Sequence, residues 1–154
     1  MKEFIDLSGD YNQAQQEKKV QAIVGALDIK DKTVLDIACG DASYYKYFEN
    51  YMGVDDSPEN IMTSEADVVL ASPMQLPFSD KNFDVVMCIS SIHNFSDYKK
   101  VLSEMKRVSK ENIIITLLKK SKGFKEISRF IEDNFVIRKI LEEQKDLIFI
   151  CTFS

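Results

Sequence analysis

Two aspartates, Asp36 and Asp55, close short apolar runs nineteen positions apart, and the first opens a turn of small residues, Asp36-Ile-Ala-Cys-Gly-Asp-Ala42. Small side chains let a backbone approach a ligand closely, and Gly40 can take angles that other residues resist. Thr33-Val-Leu-Asp-Ile37 reads as a buried strand. The spacing of Tyr44, Tyr47 and Phe48 reads as a helix, whose free amides would face whatever binds at the turn. Tyr51-Met-Gly-Val54 is a second short strand, and Asp55 at its end stands where a carboxylate can accept from both hydroxyls of a ribose. Strand, small-residue turn, helix, strand and acid together make an adenosine-binding arrangement. The three-glycine dinucleotide pattern is absent, which disfavours a nicotinamide cofactor. As plain strand-end turn formers the two aspartates would need no ligand. Their joint placement with Gly40 favours the functional reading.

The single histidine, His93, lies in Ile89-Ser-Ser-Ile-His-Asn-Phe95, just past a fourth strand. It is either a base or substrate contact at that edge, or a loop hydrogen-bonder. Cys39, Cys88 and Cys151 are odd in number, far apart and set in apolar runs, the pattern of reduced packing residues. Cys39 has no histidine near it in sequence and reads as packing rather than as a nucleophile. One histidine and scattered cysteines do not make a zinc site of ordinary composition, and no metal is expected. Asp84 opens the fourth strand, at the end away from chemistry, and reads as structural.

These groups must be held by alternating elements. Val20, Ile23, Val24 and Leu27 mark an amphipathic helix over about residues 12–27. After the two strands already described, Pro58–Met62 suits a brief helix with proline in its first turn, and Asp67–Leu70 a third strand. Phe83–Ile89 is almost continuously apolar, as expected of a strand covered on both faces. Tyr98, Val101, Leu102, Met105 and Val108 mark a helix with Ser96 or Asp97 as its cap, and Ile113–Leu118 is a fifth strand. A further helical stripe, Phe124 to Ile131, precedes two strand-like runs, Phe135–Ile140 and Leu147–Thr152, that could pair as a hairpin. The order predicts one α/β domain over residues 1–154: a mostly parallel seven-stranded sheet with right-handed crossovers, helices on both faces and an antiparallel C-terminal strand.

Charge and hydropathy narrow the classes. The net charge of −5, with lysines and carboxylates interleaved, offers no broad basic surface, so no nucleic-acid partner is expected. No apolar run approaches membrane-spanning length and the N-terminus has no stretch long enough for a signal peptide, so a cytoplasmic, membrane-free protein is expected.

Four segments then carry a specific resemblance: Leu35-Asp-Ile-Ala-Cys-Gly-Asp-Ala42, Gly53-Val-Asp-Asp-Ser-Pro58, Leu76-Pro-Phe-Ser-Asp-Lys-Asn-Phe-Asp84 and Met105-Lys-Arg-Val108. In order and spacing the chain resembles the class I S-adenosylmethionine-dependent methyltransferases, most of all the branch that includes the ubiquinone and menaquinone methyltransferases. The likeness spans roughly Lys32 to Leu118. It implies a Rossmann-like class I fold and S-adenosylmethionine (SAM) as cofactor. Residue by residue, it implies that Asp36 holds the turn and reaches the methionine ammonium through water, while Ala38, Cys39 and Gly40 line the methionine with backbone. Asp55 would bind the ribose, and Asp56 stands where the family usually has an apolar residue against the adenine. Met74, Gln75 and Leu76 would lie at the adenine's other edge, and Ile89 and Ser90 beneath the methionine carboxylate and sulfur. Tyr11 stands where a residue can fold over the bound cofactor; packing on the sheet rim is the other reading.

The sequence departs from the family pattern in three places. Ala42 replaces a further glycine, Ser72 stands where a carboxylate or amide often contacts the adenine amino group, and Pro73 lacks a backbone donor. The resemblance implies in-line methyl transfer, with His93 placed for any base role. The acceptor, small molecule or protein, is unidentified. Neither a cap after the fifth strand nor a long N-terminal lid fits this length, so the pocket is expected to be open and suited to completion by a partner chain or a homodimer. The rival reading is a non-catalytic SAM-binding or scaffold subunit of a larger complex.

Overall fold

The computed structural model describes residues 3–6, 13–40, 42–89 and 91–152, with side chains from Lys18 onward, Ser43 and Tyr44 excepted. Strands β1 (Glu3–Asp6), β2 (Thr33–Ile37), β3 (Asn50–Asp55), β4 (Val68–Leu70), β5 (Phe83–Cys88), β6 (Ser109–Leu118), β7 (Val136–Glu142) and β8 (Asp146–Thr152) form one sheet in the order β1-β7-β8-β6-β5-β2-β3-β4. Helices α1 (Gln13–Ala26), α2 (Pro58–Met62), α3 (Tyr98–Val108) and α4 (Phe124–Asn134) connect them, with short 3-10 turns at Ser43–Tyr47 and Ile92–Asn94.

Every neighbouring pair is parallel except β8 with β6 and with β7. This is the mostly parallel sheet with an antiparallel C-terminal strand expected from the sequence. The expected strand count of seven is corrected by β1, an eighth strand laid parallel along the outer edge of β7. Four residues are too short a stretch for alternation to declare itself in a sequence. The segment Tyr44 to Phe48 also differs from expectation. The chain there forms a five-residue 3-10 turn over Ser43–Tyr47, with Phe48 extended, rather than an α-helix.

Strand alternation sends the two faces to separate cores. Leu35, Ile37, Val86, Cys88, Ile113 and Ile115 face one way and pack with Val101, Leu102 and Met105 of α3 and Ile127 and Ile131 of α4. Val34, Val85, Met87, Ile114, Ile148 and Ile150 face the other way and pack with Ile23 of α1. Coverage on both faces is why β2 and β5 read as mostly apolar runs, broken only at Thr33, Asp36 and Asp84. Asp97 caps α3 by accepting from the Lys100 amide at 3.1 Å. At the amino ends of β2 and β5, Asp84 Oδ2 accepts from the Thr33 amide and hydroxyl at 3.0 and 3.1 Å, the structural role expected of it.

From β2 the chain winds outward through β3 to β4, then returns to the other side of β2 as β5. That reversal opens the crevice beyond the carboxyl ends of β2 and β5, where ligands of open α/β sheets bind. Among the described residues no helix is long and apolar enough to cross a membrane.

Candidate functional site

The loop leaving β2 is shaped by left-handed backbone. Ala38, Gly40 and Ala42 take φ of 55°, 60° and 58°. An L-residue with a Cβ resists this region, so two alanines here hold a glycine-like path at a cost. A Cβ built on Gly40 would meet nothing within 4 Å, so the loop is open on that side. The ladder continues past the strand, with the Cys39 amide donating to the Val54 carbonyl at 3.1 Å.

Asp55 is the tie that fixes the loop. Its Oδ2 accepts from the Gly40 amide at 2.9 Å, and its Oδ1 from the Ser57 amide at 2.9 Å and from Asn60 Nδ2 at 3.3 Å. One carboxylate therefore holds both the β2 turn and the entry to α2. A carboxylate can accept about four hydrogen bonds, so Oδ2 keeps one acceptor position for a further donor.

Asp36 does something else. It points to the face covered by α1, is 1 % exposed, and accepts from the Tyr51 hydroxyl at 2.5 Å. Burial pushes its carboxyl up to about 7; the Tyr51 hydrogen bond opposes that shift and the Asp55 charge adds to it. Among the described residues, the carboxylate that hydrogen-bonds the turn is that of Asp55. The Cys39 thiol is pushed up to about 12 by burial and by the Asp36 and Asp55 charges. It stays a thiol at neutral pH and packs toward Gly53, where an added Cβ would lie 2.6 Å from its sulfur.

The loop over residues 71–82 leaves the carboxyl end of β4 and leads to β5. The Ser72 hydroxyl accepts from the Met74 amide at 3.2 Å and its carbonyl from the Gln75 amide at 3.1 Å, while Pro73 is buried. Leu76 is buried, Met74 half-buried, and Gln75 and Asp56 are exposed. Glu104 and Arg107 of α3 hold this loop. Glu104 Oε2 accepts from the Leu76 amide at 2.9 Å, and the Arg107 guanidinium donates to the carbonyls of Phe78 and Leu76 at 2.8 and 3.1 Å. Arg107 also pairs with Glu104 and Asp80, both at 2.8 Å. The third and fourth sequence segments are therefore one mechanical unit.

Ile89, the residue after β5, packs on the α1 face and is 8 % exposed. His93 sits half-buried in the turn after it, with Nδ1 buried and without a hydrogen-bond partner among the described residues. Tyr11 and Ser90, expected at the cofactor, lie outside the described residues. Tyr51, Glu104 and Arg107 escaped the sequence reading. Tyr51 looked like strand packing, and Arg107 lies in a segment that was read for its likeness alone.

A family model described as a methyltransferase domain matches residues 35–117, more than half of the chain. Among curated relatives, the demethylmenaquinone methyltransferase of Geobacillus stearothermophilus is 31 % identical over 122 residues, 66 % of this chain and 52 % of that protein. An uncharacterized protein of Methanocaldococcus jannaschii is 31 % identical over 121 residues, 73 % of this chain and 48 % of that protein. The chain thus spans about half the length of these relatives. The crystal structure of a SAM dependent methyltransferase from Aquifex aeolicus superposes with TM-score 0.74 at 16 % identity, covering 94 % of this chain and all of that one. Magnesium protoporphyrin IX methyltransferase of Synechocystis, solved with bound SAM, superposes with TM-score 0.74 at 16 % identity, covering 96 % of this chain and 86 % of that one. The two superpositions show a shared fold, and the matched domain shows shared descent: this chain belongs to the methyltransferase-domain family.

Proposed function

We propose that the chain binds SAM across the carboxyl ends of β2, β3 and β5 and transfers its methyl group to an acceptor that enters from the His93 side. The observation that carries this reading is Asp55, a buried carboxylate that fixes the Gly40 loop and retains an acceptor position suited to a ribose hydroxyl. The loop fits the rest of the cofactor. Ala38, Cys39 and Gly40 present backbone beside open space at Gly40, and Asp36 offers a carboxyl near enough to ionising to answer an ammonium group. Met74 and Leu76 supply apolar surface for a base, on a loop braced by Arg107.

When bound, the cofactor supplies a methyl group already activated on a sulfonium. The chain's own task is then alignment and exclusion of water. The rigid strand ends and the Asp55-tied loop would orient the methyl in line with the incoming nucleophile. Several relatives are demethylmenaquinone methyltransferases, which makes a quinol ring the first acceptor to test. Calorimetry with SAM and with its demethylated product, S-adenosylhomocysteine, tests the reading: both are expected to bind at one site. No heat with either ligand refutes it.

A further inference from the structure

Asp36 and Tyr51 meet across two strands because of their register. In the β2–β3 ladder Asp36 stands opposite Gly53, and Tyr51 stands opposite Val34. Residues two apart on a strand share a face, so Tyr51 lies diagonal to Asp36 on the side covered by α1. Gly53 puts no side chain between them. The Tyr51 hydroxyl donates to Asp36 Oδ2 at 2.5 Å. The tyrosine ring is itself held from the cofactor-loop side, where it stacks on Phe48 with centroids 6.0 Å apart and 27° between planes. Phe48 directly follows the 3-10 turn that leaves the Gly40 loop.

The Asp36 carboxyl is 1 % exposed, and the Tyr51 contact is its one side-chain hydrogen bond among the described residues. The titratable groups around it bring no cation. They are Tyr51 and Asp55 of β3, Cys39 of the turn and Cys88 of β5, the two thiols kept neutral by burial. On the remaining side α1 lays the apolar Ile23 over this face. A carboxyl cut off from water with no cation beside it holds its proton, and burial pushes this one up to about 7 against the pull of Tyr51. Burial and the Asp36 charge push the Tyr51 hydroxyl far above its ordinary range, so it stays a donor through neutral pH. The pair therefore has one proton to lose, and it is on the carboxyl. A cation arriving at the β2 turn favours the ionised form.

We propose that Tyr51 is a positioning residue for the cofactor: its hydroxyl fixes the Asp36 carboxyl and steadies the carboxylate that forms there, so that the methionine ammonium binds as one proton leaves. This rests on the SAM-binding reading above. On binding, the O–H bond of the Asp36 carboxyl breaks, its electron pair stays on oxygen and the proton goes to solvent. The carboxylate then balances the ammonium while still accepting from Tyr51. Tyr51 acts through Asp36 and needs no contact with the ligand. The amino-acid end of the cofactor is accordingly held more tightly on the alkaline side of neutrality.

Calorimetry with S-adenosylhomocysteine at about pH 6 and about pH 8 tests this. The parent chain is expected to bind about tenfold more weakly at the lower pH, and Asp36→Asn to vary by less than about twofold. Tyr51→Phe keeps the ring and its stacking but loses the hydroxyl. Losing one charge-assisted hydrogen bond moves the midpoint up by about one pH unit. The variant should therefore bind within about twofold of the parent at about pH 8 and about tenfold more weakly than the parent at about pH 6. In the Asp36→Asn background the same substitution should add no pH dependence. An equal loss at both pH values would make Tyr51 a packing residue only, and that result, or an unmoved profile, overturns the proposal. Should Tyr51→Phe fail to fold by its amide spectrum, the parent chain grown with 3-fluorotyrosine, whose hydroxyl is a stronger donor, should show the midpoint moved down, and an unmoved midpoint overturns the proposal equally. Binding with a flat profile in the parent leaves the SAM reading standing and refutes this one. No heat at either pH refutes both.

Discussion

Replacing Asp36 by asparagine should stabilise this protein above neutral pH and change it little near pH 4. The carboxyl is 1 % exposed, and burial raises it from an ordinary 3.8 to about 7. A carboxyl held higher in the folded state than in the unfolded one keeps its full contribution to stability below the unfolded value and loses it as pH rises through the folded value. The window is therefore about pH 4 to 7, and a shift of about 3 units at 1.36 kcal/mol each sets an upper bound of about 4 kcal/mol. Asparagine keeps a neutral acceptor for the Tyr51 hydroxyl, as the protonated carboxyl does, so it stands in for Asp36 below the window. Urea unfolding of both proteins should place Asp36→Asn up to about 4 kcal/mol ahead at about pH 8 and level with the parent at about pH 4, with equal slopes. The same variant should bind SAM more weakly, because the ionised carboxyl is the form that answers an ammonium group. An Asp36→Asn chain no more stable than the parent at about pH 8 would show that Asp36 is not a buried, costly charge.

Asp55→Ala removes the acceptor for Gly40, Ser57 and Asn60 together. Calorimetry should show SAM binding weakened by about 1–3 kcal/mol, and unchanged affinity would mean that the ribose site lies elsewhere. Gly53→Ala forces the Cys39 sulfur from a position 2.6 Å from the new Cβ, and should cost about 1–3 kcal/mol of stability. Most of that loss should vanish in Cys39→Ala/Gly53→Ala, and a purely additive double variant would reject the contact. Arg107→Lys loses the forked contact with Glu104 and the carbonyl ties at Leu76 and Phe78, and should lower stability by about 1–2 kcal/mol by thermal unfolding. Equal melting would show that α3 does not brace this loop.

Elements with long apolar runs or clear helical stripes, such as β5, β6, α3 and the β7–β8 hairpin, were legible from residue types because burial on two faces or one stripe leaves a pattern. The strand β1 and the 3-10 turn at Ser43–Tyr47 were not, since each is too short for periodicity to separate it from its alternatives. At the site, Gly40 and Asp55 stood out through spacing alone. Their direct hydrogen bond did not, because it joins two strands' ends across fifteen positions. Three further relations depend on register and on helix placement, which no local pattern carries. They are the pairing of Asp36 with Tyr51, the grip of Arg107 on the Leu76 loop, and the meeting of Lys19 with Asp146 across 127 positions.

Amide NMR during titration with S-adenosylhomocysteine tests the central claim most directly, because it reads where the ligand sits residue by residue. The largest shifts are expected at Gly40, Asp56, Ser57 and Gln75, around the Asp55-tied loop. Shifts confined to another part of the chain, such as the lysine-rich turn at Lys119–Lys125, or no shifts at all, would contradict it.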